Sequence, residues 1–493
     1  MSGDSGFARY RAPLCIGLPA SFLRFWHLGR VALIPDESYY WLWSKRLALA
    51  YYDNAAGVAW MVRLSSLLGG QSELGIRWLN ALLGMGTVYV AYSIGSRLFS
   101  QRAGIISAAI LALGAPFLIV SRFVYTDALQ IALLLFNVFL VLPFVTGEPA
   151  EIPPWRFWAV GLSMAALFNT KYNAYLYALA VLGMLAWRRR SLLHDRRTWL
   201  AIAIAATGLL PVLLWNASHD WASFRWQYQH FVAGPVFRST FWHNVMHAVR
   251  YLTPPVVLVS VLGAMQIKQL RRQILLVPAL VLILPILLGS TDSPRNLLAG
   301  IVLLILLAGD AIDRWMGHSN WLAWGTVGGL LVITGLYGLG TVIETERTSA
   351  LPASSIAQAI RVDSSGWRDA EMLGLHSQAT VFALDYSIAP QLRYYAGVPV
   401  YTAWGQYQIW GLPPICGADA LQGDVQIVAL PYLDPAMVSA RLHDTFADIQ
   451  GPIEISLGER SLRIWTVRHC TVDQQTFLDR FDFLGLLQSE DSR

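Results

Sequence analysis

Apolar stretches at roughly 12–28, 78–99, 103–120, 127–145, 157–171, 173–187, 199–215, 247–267, 274–289, 296–311 and 321–343 dominate the first 344 positions of this chain. A helix needs ~20 residues to cross the hydrocarbon core of a bilayer, with ~17 as the lower limit. Backbone N–H and C=O groups find no water there, so each stretch must satisfy its own hydrogen bonds by coiling. The pattern predicts a polytopic α-helical membrane protein with about eleven transmembrane helices. Hydrophobic residues make up 55% of the chain and charged residues only 14%, against ~25% charged in ordinary soluble domains. The first run carries Arg24 and lacks a small-residue cleavage exit, so it is expected to stay as an anchor.

The loops between the runs set an orientation. Arg102, Arg156, Arg188-Arg189-Arg190, Arg196, Arg197, Lys268, Arg271, Arg272 and Arg314 fall in alternate short loops. By the positive-inside rule these loops and the N-terminus are cytoplasmic. An odd number of spans then puts everything after 344 outside, in the periplasm of a bacterium, and the protein in its inner membrane. The net charge of +5 does not signal nucleic acid, because the basic residues are scattered through these loops rather than gathered on one soluble face.

Three other segments differ in character. Residues 30–77 form the first outer loop and hold DESYYWLWSKRLALAYYD, an amphipathic stretch rich in Trp and Tyr. Such rings favour the membrane interface, and a helix lying along the outer surface is expected. Residues 345–472 carry strand-length apolar runs (VFALDY, VQIVAL, LRIWTV) between Gly and Pro, which predicts a soluble α/β domain. Residues 473–493 read as a polar, loosely held tail. Of the three cysteines, Cys15 lies in the first apolar run, while Cys416 and Cys470 share the C-terminal domain. An oxidising compartment would let that pair form a disulfide; the alternative is two separate buried thiols.

The outer ends of the runs collect charges: Asp36 and Glu37, Asp53, Arg122 and Asp127, Lys171, and Asp292 with Arg295. A charge at membrane depth costs ~2.5–3.5 kcal/mol on insertion scales and is usually paired or functional. Each also has a purely structural account. Asp36 and Glu37 suit the positive end of a helix as well as general-base work. Asp127, with Thr126, can cap the helix it begins. Lys171 can snorkel to the interface or bind phosphate as a point charge. Arg295 can pair with Asp292 or grip a phosphate in two-pronged fashion. There is no P-loop, G-x-S-x-G or H-E-x-x-H motif, and the ten histidines show no metal spacing.

PDESYYWLWSKRLALAYYDNAAGVAWMVRL resembles the first outer loop of the bacterial ArnT-like and protein-O-mannosyltransferase-like glycosyltransferases of the GT-C class. SRFVYTDALQIALLLF, NTKYNAYL, TDSPRNLLAG, GWRDAEML and VFALDYSIAPQLRYYAGVPV extend the likeness over most of the chain. The resemblance implies transfer of a sugar from a polyprenyl-phosphate donor to a periplasmic acceptor, such as lipid A, a cell-envelope glycan or protein, usually with inversion at the anomeric carbon. It implies Asp36, with Glu37 and Asp127, as the catalytic carboxylates. Lys171 is the implied phosphate-binding cation; Arg295, Arg122 and Arg77 are further candidates for that work. Tyr39, Tyr40, Tyr52, Asp53, Tyr172 and Asp292 are candidates for positioning the acceptor. The leaving group is already a phosphate, so cations must hold it and a carboxylate must orient or deprotonate the acceptor.

The chain departs from the family pattern where Asn54-Ala55-Ala56 replaces His-Pro-Pro and Ser293-Pro294-Arg295 replaces His-Trp-Pro. Two customary histidines are missing, so a divalent metal is left open, with Asp53 as its one remaining ligand. Two other classes compete with a transferase. A lipid or ion transporter would put its charges near the midplane; a catalytically silent membrane scaffold would tolerate the altered histidines.

Overall fold

The computed structural model describes residues 22–481 apart from 147–151, 232–237, 253, 266–269, 290–293, 318–324, 326–327, 330, 341–342, 344–374, 376–378, 386, 396, 398, 404, 419, 421–422, 431–432 and 458–459. Cys15, Asp292 and the GWRDAEML motif lie outside the described residues. The chain divides into two compact units, one built on residues 47–344 with the segment before residue 30, the other on Arg30–Arg46 with residues from 345 onward.

The first unit is helical. Its elements are α2 (Gly57–Gly69), α3 (Glu73–Leu98), α4 (Gln101–Leu113), α5 (Ala115–Arg122), α6 (Thr126–Thr146), α7 (Pro154–Phe168), α8 (Ala174–Arg188), α9 (Arg196–Thr207), α10 (Leu210–Ala217), α11 (Ala222–Phe231), α12 (Arg238–Leu252), α13 (Pro254–Ala264), α14 (Leu270–Leu288), α15 (Leu298–Gly317) and α16 (Leu331–Gly340). A 3-10 turn, Pro294–Leu297, leads into α15. Local chemistry sets the starts and breaks. Ser72 and Ser100 cap α3 and α4 by accepting from Gly75 N and Ala103 N. Gly114 and Pro116 interrupt one apolar run, so α4 and α5 meet at 63°. Within the unit Arg272 Nε donates to Asp310 Oδ2 at 2.9 Å and ties α14 to α15.

The apolar runs read between 78 and 311 fall on these helices. Among the described residues three helices are long and apolar enough to cross a membrane, Thr126–Thr146, Arg196–Ala217 and Pro294–Gly317, or up to five if each bent pair counts as one span. Others, such as Ala174–Arg188, are shorter apolar helices. The expected number of about eleven therefore does not follow from helix length, because glycines and prolines divide several runs.

The second unit is a five-stranded sheet with helices. It contains α1 (Pro35–Lys45), β1 (Thr380–Ala383), α17 (Ile388–Tyr395), β2 (Val400–Tyr401), α18 (Gln406–Trp410), β3 (Val425–Ala429), α19 (Pro435–His443), β4 (Phe446–Leu457), β5 (Arg460–Cys470) and α20 (Gln474–Arg480). The strand order is β2-β1-β3-β5-β4. β1 pairs in parallel with β2 (Val381 opposite Val400) and β3 (Val381 opposite Gln426), and β5 runs antiparallel to both β3 and β4. Every residue of the central β3 is buried, as a strand covered on both faces requires. Cys416 and Cys470 are joined by a disulfide with Cα atoms 5.3 Å apart. The first part of the tail expected to be loose, 473–481, is folded: Asp473 caps α20 by accepting from Thr476 N, and Phe477 and Phe481 are buried in the sheet core; 482–493 lie outside the described residues.

The segment 30–46 belongs to this second unit. Pro35 starts α1, and Glu37 Oε2 accepts from Ile34 N at 3.0 Å, which satisfies an orphan donor of the first turn. The helix makes packing contacts within this unit. It packs on α17, where Tyr395 Oη accepts from Leu33 N at 2.6 Å and Gln391 Nε2 donates to Leu33 O at 3.1 Å. Tyr39, Leu42 and Trp43 are buried, so these side chains supply protein core.

Candidate active site

Lys171 stands in the turn between α7 and α8. Its ammonium donates to Asp127 Oδ1 at 2.7 Å and to Asn296 Oδ1 at 2.8 Å. Asp127 lies in the first turn of α6, and Asn296 belongs to the 3-10 turn ahead of α15. Three element ends therefore meet on one cation. The side chains of Lys171 and Asp127 are only 13% and 3% exposed. Charges so deeply buried persist only when paired and hydrogen-bonded.

Other groups surround this pair. The Arg295 guanidinium lies 4.3 Å from the centroid of the Tyr125 ring, just ahead of α6. Tyr251 of α12 has its hydroxyl within electrostatic reach of Arg295, Asp127 and Tyr125. That hydroxyl is buried and has no hydrogen-bond partner among the described residues. A buried polar group left unsatisfied costs ~1–3 kcal/mol, a cost that a water or ligand oxygen beside this hydroxyl would remove.

A second cluster adjoins it through residue 172. Tyr172 Oη and Ser223 Oγ are 2.5 Å apart. Burial pushes the Tyr172 phenol up to about 12 and the Asp53 carboxylate adds to the rise, against hydrogen bonds to Ser223 and Asn216 that lower it. The group is therefore a neutral hydroxyl at physiological pH. The first loop is seated on this turn by Gly57, whose N–H donates to Asn169 O at 2.7 Å. A Cβ at position 57 would stand 2.4 Å from that oxygen, so only glycine permits the approach. Gln227 Nε2 donates to Asp53 O at 2.8 Å, and the Tyr52 ring meets Trp226 edge-on with centroids 6.4 Å apart.

The remaining sequence candidates make other contacts. Arg77 Nη1 donates to Leu28 O at 2.9 Å and stacks on Phe123, while Arg122 Nη1 donates to Leu23 O. Both are buried and bind carbonyls of the 22–29 segment, a structural use of a guanidinium at a chain end rich in acceptors. Asp36 and Glu37 belong to the sheet-containing unit: Glu37 is buried in its capping bond, and Asp36 is half-buried in the first turn of α1. Tyr39 Oη accepts from Gln406 N at 2.7 Å, and Tyr40 packs edge-on against Trp43. Among the described residues no group of three or more His, Cys, Asp or Glu side chains could hold a metal ion.

Sequence reading missed Asn296, Tyr125, Tyr251, Ser223 and Gln227. Asn296 had one available signal, its place beside Arg295. Nothing in the sequence around Tyr251 marks it, because its role comes from helices that are distant along the chain.

Residues 53–215 match the family model described as dolichyl-phosphate-mannose-protein mannosyltransferase. The lipid A galacturonosyltransferase RgtD of Rhizobium johnstonii is 30% identical over 191 residues, 38% of either chain. The match thus spans little more than a third of that curated relative. The structure of ArnT from Cupriavidus metallidurans in its apo state superposes with a TM-score of 0.64 at 15% identity, covering 94% of this chain and 98% of that one. The same protein bound to undecaprenyl phosphate gives a TM-score of 0.65 at 14% identity over the same shares. The oligosaccharyltransferase of Archaeoglobus fulgidus gives 0.52 at 12% identity, covering 80% of this chain and 64% of that one. The resemblance read from the first loop onward is borne out by sequence over residues 53–215 and by fold over nearly the whole chain.

Proposed function

We propose that this chain, which has the fold of the ArnT-like GT-C glycosyltransferases, is an inner-membrane glycosyltransferase that moves a sugar from a polyprenyl-phosphate donor to a lipid or glycan acceptor outside the membrane. The carrying observation is the Lys171 ammonium, oriented by Asp127 and Asn296 beside Arg295 and the unpartnered Tyr251 hydroxyl. Buried cations and a donor hydroxyl at helix ends suit a phosphate that gains charge as the glycosidic bond breaks. An apolar cavity of about 490 Å³ gives further support. It is lined by Phe168 and Tyr175, on either side of Lys171, and continues along α6 to α10 past Val141, Phe144 and Leu185. A hydrocarbon chain attached to the phosphate fits such a lining.

In this reading Lys171 and Arg295 hold the donor phosphate, and Tyr251 donates to one of its oxygens. Asp127 serves to position Lys171 rather than as the second catalytic carboxylate expected from the sequence. Arg77 and Arg122 are assigned to structure. Asp36, proposed from the first-loop resemblance, is the candidate base for the acceptor hydroxyl; in the transfer that oxygen bonds to the anomeric carbon, the C–O bond to phosphate breaks with inversion, and the phosphate leaves as the dianion. Tyr52, Asp53 and Tyr172 are kept as acceptor-positioning candidates. A uronic acid is the first sugar to test and lipid A the first acceptor, given the name of the curated relative.

The test is mass spectrometry of lipid A and surface glycans from a deletion strain, complemented with wild type and with Asp36→Asn. A sugar should disappear on deletion and return only with wild type. The purified variant should retain its fold but turn over at least ~10²-fold more slowly, the usual loss when a general base is removed. Near-normal turnover by Asp36→Asn would remove this assignment, and an unchanged envelope in the deletion strain would remove the proposed function.

A further inference from the structure

Ser223 is buried at the start of α11, with its Oγ 2.5 Å from the Tyr172 hydroxyl. The turn from α10 that brings it there is strained. Asp220 and Trp221 stand at φ 52° and 58°, in the left-handed region. An aspartate is tolerated in that region, but a bulky indole is a true outlier. Trp221 N donates to Asn216 O at 2.8 Å, and Asn216 Oδ1 accepts from Phe224 N at 3.2 Å. The Trp221 ring stacks on Phe224 with centroids 5.8 Å apart, and Phe224 in turn meets Tyr172 edge-on at 5.6 Å. Trp221 is 48% exposed, so burial of its own ring does not account for the strain.

A turn needed only to join α10 to α11 would form with less strain if residue 221 were glycine. A strained conformation persists where its surroundings over-determine it, and such places gather at functional sites. Here the contacts converge on one side chain: Tyr172 is gripped at its tip by the Ser223 hydroxyl and along its ring by Phe224. Tyr172 follows Lys171 directly. Ala174 N donates to Lys171 O at 3.0 Å and Tyr175 N to Tyr172 O at 3.1 Å, so both residues belong to one tight turn. An ammonium that must meet a phosphate at hydrogen-bond distance tolerates little displacement. We propose that Ser223 is a positioning residue that acts through Tyr172 to hold the Lys171 ammonium where it meets the phosphate of a polyprenyl lipid.

The inference rests on the reading of Lys171 as a cation that binds the donor phosphate, and one titration tells the two apart. The full chain in detergent is titrated with undecaprenyl phosphate by calorimetry. The proteins compared are wild type, Lys171→Met, Tyr172→Phe, Ser223→Ala, Ser223→Thr, and the double variant Tyr172→Phe with Ser223→Ala. Lys171→Met should lose saturable binding. Tyr172→Phe and Ser223→Ala should each weaken binding by ~5–10-fold, the worth of one hydrogen bond. Both remove the same bond, so the double variant should bind within about twofold of the weaker single one. Ser223→Thr keeps the hydroxyl and should restore most of the affinity. Wild-type affinity in both Ser223→Ala and Tyr172→Phe, with Lys171→Met defective, would overturn the inference and leave the reading of Lys171 standing. Losses that add in the double variant would also overturn it, because Ser223 would then act by another route. Wild-type affinity in Lys171→Met would overturn that reading and the inference with it. Tyr172→Phe removes the same bond while leaving the 220–224 turn intact, so it decides the matter even if Ser223→Ala fails to fold.

Discussion

At the scale of single residues, Lys171 and Asp127 separate structure from function because one bond serves both. Removing either partner of a buried ion pair typically costs ~3–5 kcal/mol, since the other charge is left uncompensated. Lys171→Met should therefore melt at a lower temperature than wild type, and Lys171→Met with Asp127→Asn should recover much of that loss. Donor affinity should not recover with it. Titration of both variants with undecaprenyl phosphate checks this: affinity restored together with stability would mean that the phosphate is held elsewhere. Tyr251 offers the opposite case. Its hydroxyl has no protein partner among the described residues, so Tyr251→Phe should leave thermal stability unchanged or slightly raised. The same variant should lose about tenfold in kcat/KM for the donor, the worth of one hydrogen bond to a charged oxygen. Unchanged kinetics would remove Tyr251 from the site.

At the scale of elements, the candidate site depends on turns and helix ends rather than on helix interiors. The turn at 169–173, the start of α6 and the 3-10 turn before α15 each bring one partner of the Lys171 cluster. The first loop reaches the same turn because α2 begins with a glycine against Asn169 O. Gly57→Ala should push the 51–57 segment off this turn and disturb Asp53 and Tyr172 more than the fold as a whole. We expect a thermal shift of a few degrees, with acceptor KM raised more than donor KM. A variant with wild-type kinetics would show that the seating of this loop does not matter to acceptor binding.

At the scale of the whole molecule, the two units are held together internally by different means. The helical unit relies on side-chain packing and on buried pairs such as Lys171–Asp127 and Arg272–Asp310. The sheet unit has a core under β1, β3 and β5 together with one covalent link, Cys416–Cys470, closing a separation of 54 residues. On the loop-entropy account such a bridge is worth about 4 kcal/mol. Cys416→Ser with Cys470→Ser should therefore make residues 379–481 markedly more sensitive to limited proteolysis, while cleavage of the helical unit is unchanged. Equal protease resistance with and without the cysteines would show the bridge to be dispensable. Non-reducing peptide mapping that found two free thiols would show it to be absent from the isolated protein.

Local chemistry was enough to mark most of the helices, because an apolar run of spanning length has few ways to satisfy its backbone. Strand-length runs such as VQIVAL likewise fold as strands. Asp127, Lys171 and Arg295 stood out in the sequence for a similar reason: a charge beside an apolar run is costly and needs an explanation. The sequence could not say which charges meet. Arg77, Arg122 and Lys171 look alike as cations near helix ends, yet Lys171 meets the Asp127 carboxylate and the Asn296 amide oxygen, while Arg77 and Arg122 each donate to a backbone carbonyl of the 22–29 segment. Nor could it place 30–46, whose aromatic residues are compatible with a membrane surface or with a protein core. In the folded chain the segment is held by hydrogen bonds to Tyr395, Gln391 and Gln406, more than 350 positions away. Periodicity and composition act over a few turns of chain, whereas pairing of charges and choice of packing partner depend on distances that only the folded chain creates.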